Sequence, residues 1–297
     1  MHGKLPVHPW QPVWPLLSGL TDICTMQKSR TKKIWKWVRN IFIIYIVVGI
    51  ALYFLQEKII FQAKKLPQDH VFHFPLPFKE INLPVNAEKT LSIIQFTVPD
   101  SLRRGVVLYF HGNLNNIERY APFSSNFTKN HYEVWMMDYP GYGKSTGIRT
   151  EQALYDDALQ LYKMARARFA KDSIIIYGRS LGTGIASELA SVRDCKRLIL
   201  EAPYYSLDAL ARHFLFMYPV NWLIKYHFPT YKYLKKVDAP VTIFHGREDE
   251  LIPYRQAQQL LKIAKPGAEL ITIEKGKHNT VNEFPLFHQK LDSILQR

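Results

Sequence analysis

The amino-acid sequence predicts an α/β fold in which helices cover both faces of a mostly parallel central sheet. Short β-branched runs alternate with segments of helical periodicity from about residue 91 to the end of the chain. This alternation is typical of parallel sheets, because helices link their successive strands. The 297 residues, 47% of them hydrophobic, suffice for one large core. Polar motifs directly follow several predicted strands, at the edge where such sheets bind ligands.

The predicted elements are justified by residue type and spacing, and together they predict one globular domain over residues 57–297. We expect strands at residues 71–74, 91–98, 105–110, 133–137, 173–177, 197–200, 241–244 and 269–273. We expect helices at residues 117–127, 152–168, 183–191, 254–264 and 285–296, of which the first has the weakest pattern.

An apolar run of fifteen residues, 41–55, precedes this domain. As a helix it spans about 22 Å, so residues before it are needed to cross a hydrocarbon core of roughly 30 Å. We therefore expect a transmembrane anchor at residues 34–56 and a disordered basic tail at residues 1–33. One alternative is a cleaved signal peptide, although the run is not followed by small residues. Another is a buried core helix, although no polar face is evident.

The charge pattern predicts how the anchor is oriented. Six basic residues stand shortly before the apolar run and three stand shortly after it. This bias predicts a cytoplasmic N-terminus and a domain on the far side, which is periplasmic, otherwise extracytoplasmic, or lumenal. The formal net charge of +14 is spread along the chain without an arginine run interleaved with aromatics. It favours an anionic membrane surface over nucleic acid as a partner, and the oligomeric state stays open.

Ser180 is the candidate nucleophile, in the sequence G-R-S-L-G at residues 178–182. A strand-like run ends just before this motif and a helix-like segment begins just after it, so the serine lies at the apex of a tight turn. The glycines at both flanking positions leave room for such a turn. The alternative is a glycine-rich turn whose serine only caps a helix.

A serine hydroxyl needs a general base, and the base needs an acid to fix its tautomer. His278 and Asp249 each follow a predicted strand and therefore reach the same edge of the sheet as Ser180. Four residues remain alternatives: the acids Glu248 and Glu250, and the bases His111 and His245.

From about residue 91 onward the chain resembles the α/β-hydrolase superfamily, and most of all its branch of small hydrolases with one amino-terminal membrane anchor. The resemblance rests on the motifs H-G-N at 111–113, D-Y-P-G-Y-G-K-S-T-G at 138–147, G-R-S-L-G at 178–182 and H-G-x-x-D at 245–249. It implies an α/β-hydrolase fold with Ser180 as nucleophile, Asp249 as acid and His278 as base. It also implies an oxyanion hole formed by the backbone N–H groups of Leu181 and Asn113.

Residues 204–237 form an insertion that is dense in aromatic residues, and we expect them to build a short cap beside Ser180. The expected lining of a hydrophobic acyl pocket is Tyr142, Phe214, Phe216 and Trp222. The alternative is that these rings pack a helix against the sheet.

Together these patterns predict a membrane-anchored serine hydrolase with a small-molecule or lipid-like acyl substrate. It would cleave carboxylic esters or thioesters through an acyl-enzyme. The alternatives are a serine peptidase on the same fold and a non-catalytic, membrane-anchored binding or scaffold protein. We expect no cofactor, and the scattered histidines and cysteines predict no metal site.

Overall fold

The computed structural model describes Gly3 and residues 18–297, with the side chains from residue 32 onward. The chain divides into two units, Met1–Phe54 and Leu55–Arg297. Helix α1, Ser18–Ile60, begins well before the expected anchor. Residues 18–33 are thus helical where the sequence led us to expect disorder, since no proline interrupts this stretch. The disorder expected for residues 1–17 falls, Gly3 apart, outside the described residues.

Within α1, the segment Lys32–Ile60 has the length and composition to cross a membrane, and its most apolar 18-residue window has a mean hydropathy of 2.2. None of its apolar window is buried. The alternative of a core helix is therefore wrong for this segment, because a core helix would bury its apolar side chains. The alternative of a signal sequence stays open, since such a sequence is also apolar and also lies near the N-terminus.

Strands and helices alternate through the second unit. In chain order the strands are β1 (Gln62–Ala63), β2 (Phe78–Pro84), β3 (Thr90–Phe96), β4 (Gly105–Phe110), β5 (Leu114–Asn115), β6 (Tyr132–Met137), β7 (Ile174–Arg179), β8 (Arg197–Glu201), β9 (Val241–Gly246) and β10 (Glu269–Ile273). The helices after α1 are α2 (Ile117–Tyr120), α3 (Ser125–Thr128), α4 (Glu151–Arg166), α5 (Gly182–Val192), α6 (Leu207–Phe214), α7 (Val220–Leu223), α8 (Thr230–Leu234), α9 (Tyr254–Ile263) and α10 (Pro285–Gln296).

The main sheet has eight strands in the order β10-β9-β8-β7-β4-β6-β3-β2. All neighbours pair in parallel except at β3, which is antiparallel to both β2 and β6. The predicted mostly parallel sheet is thereby confirmed. Because β4, β7, β8, β9 and β10 run in the same direction, the loops that follow them meet at one edge. A separate parallel pair joins β1 to β5, with Gln62 opposite Leu114.

Alternate side chains of each central strand supply the two cores. In β4, Val106 and Leu108 face a core that includes residues of α4, α5 and α9. Val107 and Tyr109 face the opposite core, which includes residues of α2, α3 and α10. Helices therefore cover both faces, as predicted, and both cores hold the central strands in place beneath the loops at their carboxyl ends.

Two predicted elements differ from the structure. The strand expected at residues 71–74 is absent; this stretch is irregular, and its Phe72 and Phe74 pack against the sheet instead. The strand that pairs with β3 at this edge of the sheet is β2, which was not predicted from the sequence. The helix expected at residues 117–127 is broken into α2, a 3₁₀ turn and α3, with Pro122 in the turn.

Candidate active site

Ser180 directly follows β7 and adopts a φ of +50°, in the left-handed region that favours glycine. Its backbone N–H donates to the Glu201 carbonyl at 2.9 Å, which ties the turn to β8. The glycines on either side are required by space. A Cβ at Gly182 would collide with the Phe110 carbonyl, and one at Gly178 would lie 2.7 Å from the Ala186 Cβ. The sequence G-R-S-L-G thus folds into the tight strand–turn–helix that the spacing predicts.

Two hydrogen bonds connect the three residues proposed for catalysis. The Ser180 hydroxyl lies 2.9 Å from Nε2 of His278. Nδ1 of the same ring lies 2.9 Å from Oδ2 of Asp249. The other oxygen of Asp249 accepts from the backbone N–H groups of Leu251 and Ile252, at 2.9 and 2.7 Å. These donors fix the carboxylate, so one oxygen stays directed at the imidazole.

The alternative acids are placed elsewhere. Glu248 and Glu250 are exposed, whereas Asp249 between them is buried. Glu250 pairs instead with Lys277 at 3.0 Å. Because neighbouring side chains in this turn point in different directions, only the middle carboxylate of the three reaches His278.

The alternative bases are buried and engaged in local contacts. Nδ1 of His111 lies 2.7 Å from the Gly112 carbonyl oxygen. Nε2 of His245 lies 2.9 Å from the Ile252 carbonyl oxygen, so this nitrogen is the protonated one. Burial lowers the pKa of His245 and keeps its ring neutral. Both histidines shape loops around the site.

The residues proposed for the oxyanion hole lie on two adjacent loops. A Cβ at Gly112 would lie 3.6 Å from the Ser180 Cβ, so the loop that follows β4 passes close to the serine. The side-chain amide of Asn113 donates to the Ile60 carbonyl at 3.0 Å, and its own carbonyl accepts from the Tyr142 hydroxyl at 2.8 Å. Within the described part of the chain, the backbone N–H groups of Leu181 and Asn113 donate to no backbone acceptor.

The expected pocket residues differ in their exposure to solvent. Tyr142 is fully buried and holds the loop at Asn113. Phe214, Phe216 and Trp222 are exposed, by 52, 81 and 86% of their surfaces. The cap helices α6, α7 and α8 are short, with eight, four and five residues. An open cavity of about 570 Å³ at the base of the cap has a polar lining that includes Glu151, Asp208, Arg212 and His227.

The sequence analysis missed one buried ion pair beside the site. Nε of Arg179 lies 3.3 Å from Oε1 of Glu201, and both side chains are buried. The other oxygen of Glu201 accepts from the Tyr177 hydroxyl. The signal available in the sequence was two charged residues next to predicted strands, at positions where a core residue would otherwise be apolar.

Comparisons with known proteins agree with the fold. A family model described as "Serine aminopeptidase, S33" matches residues 102–236. "Alpha/beta hydrolase domain-containing protein 17C" of Xenopus tropicalis is 29% identical over 195 residues, which cover 65% of this chain and 62% of that protein. The chain therefore spans less than two thirds of that relative.

Two further matches cover more of the chain. The protein YfhR of Escherichia coli strain K12, described as uncharacterised, is 24% identical over 255 residues, 82% of this chain and 88% of that protein. The structure of an esterase from Pyrococcus furiosus superposes with a TM-score of 0.58 at 22% identity, covering 79% of this chain and 99% of that one. With the sheet order and the turn at Ser180, these matches show that the chain has an α/β-hydrolase fold.

Proposed function

We propose that this protein is a membrane-anchored serine hydrolase that cleaves carboxylic esters or thioesters with a hydrophobic acyl part. The observation that carries the proposal is the hydrogen-bonded series from the Ser180 hydroxyl through His278 to Asp249. A serine hydroxyl held 2.9 Å from an imidazole nitrogen can transfer its proton to that nitrogen as it attacks a carbonyl carbon. A turn that merely capped a helix would not need this arrangement.

In the first half of the reaction, His278 takes the Ser180 proton on Nε2 while Oγ forms a bond to the substrate carbonyl carbon. The carbonyl π electrons move to oxygen, which becomes the oxyanion. Asp249 stabilises the imidazolium through Nδ1–H without itself taking the proton. The intermediate then collapses, the bond to the leaving oxygen or sulfur breaks, and His278 returns the proton to that atom. The product is an alcohol or thiol, and the acyl group stays on Ser180.

In the second half, water replaces the leaving group. His278 removes one proton from the water as its oxygen attacks the acyl carbon. The second oxyanion then collapses, the bond from that carbon to Ser180 Oγ breaks, and His278 returns the proton to Oγ as the carboxylic acid leaves. In both halves the N–H groups of Leu181 and Asn113 are proposed to donate to the oxyanion. Removing one such donor in a related reaction costs about 10²–10³ in kcat.

The substrate class is proposed from the anchor and the relatives. A helix with the apolar exposure of Lys32–Ile60 would hold the enzyme beside lipid, where acyl esters are concentrated. The structure that shares the fold at a TM-score of 0.58 is titled an esterase. The proposed topology is a cytoplasmic N-terminus with the hydrolase domain on the far side of the membrane.

A serine peptidase is the second candidate, favoured by the description of the family model that matches residues 102–236. The same nucleophile, base and oxyanion donors can cleave an amide if His278 protonates the leaving amine. What separates the two candidates is the relative rate on matched ester and amide substrates.

The test is covalent labelling by a fluorophosphonate, compared between the wild type and Ser180→Ala in solubilised membranes. We expect labelling of the wild type only, because the probe needs an activated serine. Unlabelled wild type from the same preparation is then assayed on acyl esters and thioesters of increasing chain length and on peptide amides. Faster turnover of the amides would replace the esterase by the peptidase. A folded wild type that takes no label would point to a non-catalytic binding or scaffold protein.

A further inference from the structure

The cap carries an unusual concentration of exposed aromatic side chains. Among residues 57–297, the exposed Phe, Trp and Tyr side chains are Phe214, Phe216 and Trp222, which fall within nine positions. Met217 between them is also exposed by 67%. We call Phe214, Phe216, Met217 and Trp222 the aromatic cap surface. Large exposed apolar side chains concentrated in this way indicate an interaction site.

This surface is held next to the residue at which the apolar run ends. The side-chain amide of Gln56, the first residue after the run 41–55, donates to the Leu223 carbonyl at 3.0 Å. Its oxygen accepts from the Lys225 backbone N–H at 2.7 Å. Gln56 is buried by these contacts. Helix α7, which carries Trp222, is thereby bonded to the point where the chain leaves its apolar segment.

The side chains around the surface suit a lipid headgroup region. Trp and Phe favour the boundary between headgroups and acyl chains, where a ring can be half in contact with water. The cap at residues 204–237 holds five Lys or Arg residues and one acidic residue, Asp208. Several of the basic residues, including Arg212, Lys232 and Lys235, are exposed. Basic residues near a bilayer are attracted to anionic lipids by about 1 kcal/mol each.

A second copy of the chain fits the same surface less well. With five basic residues and one acidic residue in the cap, and a net charge of +14 on the chain, two copies would repel each other. An apolar surface on a basic cap is therefore complementary to an anionic bilayer and not to a second copy of the chain.

We propose that the aromatic cap surface docks onto the bilayer in which α1 is anchored, with Phe214, Phe216 and Trp222 entering the headgroup boundary. The inference rests on the membrane attachment proposed above, but it does not depend on hydrolysis. At its base the cap contacts the nucleophile turn, since the Tyr204 hydroxyl donates to the Leu181 carbonyl at 3.0 Å. Docking would thus bring the acyl chains of the membrane to the side of the domain that carries Ser180.

The test places an environment-sensitive fluorophore at single cysteines in the full-length protein, reconstituted in vesicles of phosphatidylcholine and phosphatidylglycerol. The label positions are Phe216→Cys and Trp222→Cys, both exposed, so that folding is not at risk. Cys24 is replaced by serine. Cys195 is kept, because burial raises the pKa of its thiol to about 12 and leaves little thiolate to react. Quenching is measured with brominated lipid and, separately, with aqueous iodide.

Two matched controls calibrate the result. Ile50→Cys reports insertion of the anchor itself, and Leu102→Cys lies before β4, at the sheet edge opposite Ser180. We expect brominated lipid to quench the labels at 216 and 222 several-fold more than the label at 102, and iodide to show the reverse order. Far-UV circular dichroism checks that each variant is folded.

Three outcomes would overturn the inference. Iodide quenching at 216 and 222 equal to that at 102 means that the surface faces water. Protection from iodide without quenching by lipid means that protein covers it, in a second copy or in this chain. Absence of lipid quenching at 50 means that the anchor itself is not inserted, and the inference falls with it. Fluorophosphonate labelling of Ser180 is read separately, so failure of the hydrolase proposal is recognised on its own.

Discussion

Arg179 donates a hydrogen bond from Nη2 to the backbone carbonyl of Asn279, at 3.3 Å. These two residues adjoin Ser180 and His278 in the chain, although β8, β9 and β10 lie between them in sequence. The same guanidinium pairs with the buried carboxylate of Glu201. One side chain therefore connects the nucleophile turn to the loop that carries the proposed base, and we assign it as a positioning residue.

Replacement of Arg179 by methionine is expected to lower kcat by about 10- to 100-fold while KM changes little. Without this bond the distance between the His278 imidazole and the Ser180 hydroxyl is no longer fixed. A displacement of about 1 Å lowers the rate by a factor of this order. The variant also leaves Glu201 buried without its partner, which costs about 3–5 kcal/mol of folding free energy. Both quantities are measured, kcat and KM on a soluble short-chain ester and unfolding by denaturant in detergent.

The matched control is the double variant Arg179→Met with Glu201→Gln, which removes both charges. We expect it to regain most of the stability lost in the single variant but not the lost kcat, because Asn279 still lacks its donor. Recovery of activity in step with stability would show that Arg179 acts on folding alone.

Asp249→Asn tests which carboxylate serves His278. The amide keeps an oxygen for the N–H groups of Leu251 and Ile252, so the turn should persist. The asparagine presents to Nδ1 of His278 either an N–H group in place of an acceptor or an oxygen without charge. We therefore expect kcat to fall by about 10⁴. Glu248→Gln and Glu250→Gln are the controls, and as exposed residues they should change kcat less than about twofold. A large loss in either control with a small loss at Asp249 would reassign the acid.

Ser180→Gly tests the strain in the nucleophile turn. A non-glycine residue at a φ of +50° costs roughly 1–2 kcal/mol, which glycine avoids. We expect the glycine variant to take no fluorophosphonate label. Its free energy of unfolding should nevertheless be about 1 kcal/mol higher than that of the wild type. Ser180→Ala is the control, since alanine keeps the strain and also lacks the hydroxyl. Equal stability of the two variants would mean that the turn relaxes when the serine is lost.

The sequence was informative where local chemistry decides the structure. Gly178 and Gly182 mark a turn that admits no Cβ, so the position of Ser180 followed from the chain alone. The strand at residues 105–110 and the helix at residues 285–296 agree in both bounds with β4 and α10. Asp249 and His278 could be proposed because parallel strands present their carboxyl ends at one edge.

Long-range packing decided the rest. Phe72 and Phe74 are spaced as in a strand, but their backbone is irregular and both side chains face one core. The strand β2 forms further along the chain, where β3 supplies its pairing partner. The placement of the cap rings depends on contacts such as that of Gln56 with Leu223, which are 167 positions apart in sequence. No local pattern reports such contacts, and so the exposure of Phe214, Phe216 and Trp222 was not predictable from the sequence.

His245 gives the domain a defined response to acid. Its Nε2 donates to the Ile252 carbonyl at 2.9 Å, and its Nδ1 is buried without a hydrogen-bond partner. Burial lowers the pKa of this ring, although the nearby carboxylate of Asp249 opposes the shift. The unfolded chain therefore takes up a proton below about pH 6.5 that the folded domain resists. Since the unfolded state binds more protons at this residue, the contribution of His245 to the free energy of unfolding falls as the pH falls below that value.

We expect His245→Gln, which can keep the donor to Ile252 but cannot be charged, to remove this contribution. The free energies of unfolding of wild type and variant are compared in detergent between pH 8 and pH 5. Their difference should be constant above about pH 7 and should change in favour of the variant at lower pH, by at most about 1.4 kcal/mol per pH unit, the limit for one proton. The other ionisable groups are common to both proteins, so contributions that do not depend on residue 245 cancel in the difference. Parallel curves over the whole range would show that His245 is protonated as easily in the folded domain as in the unfolded chain.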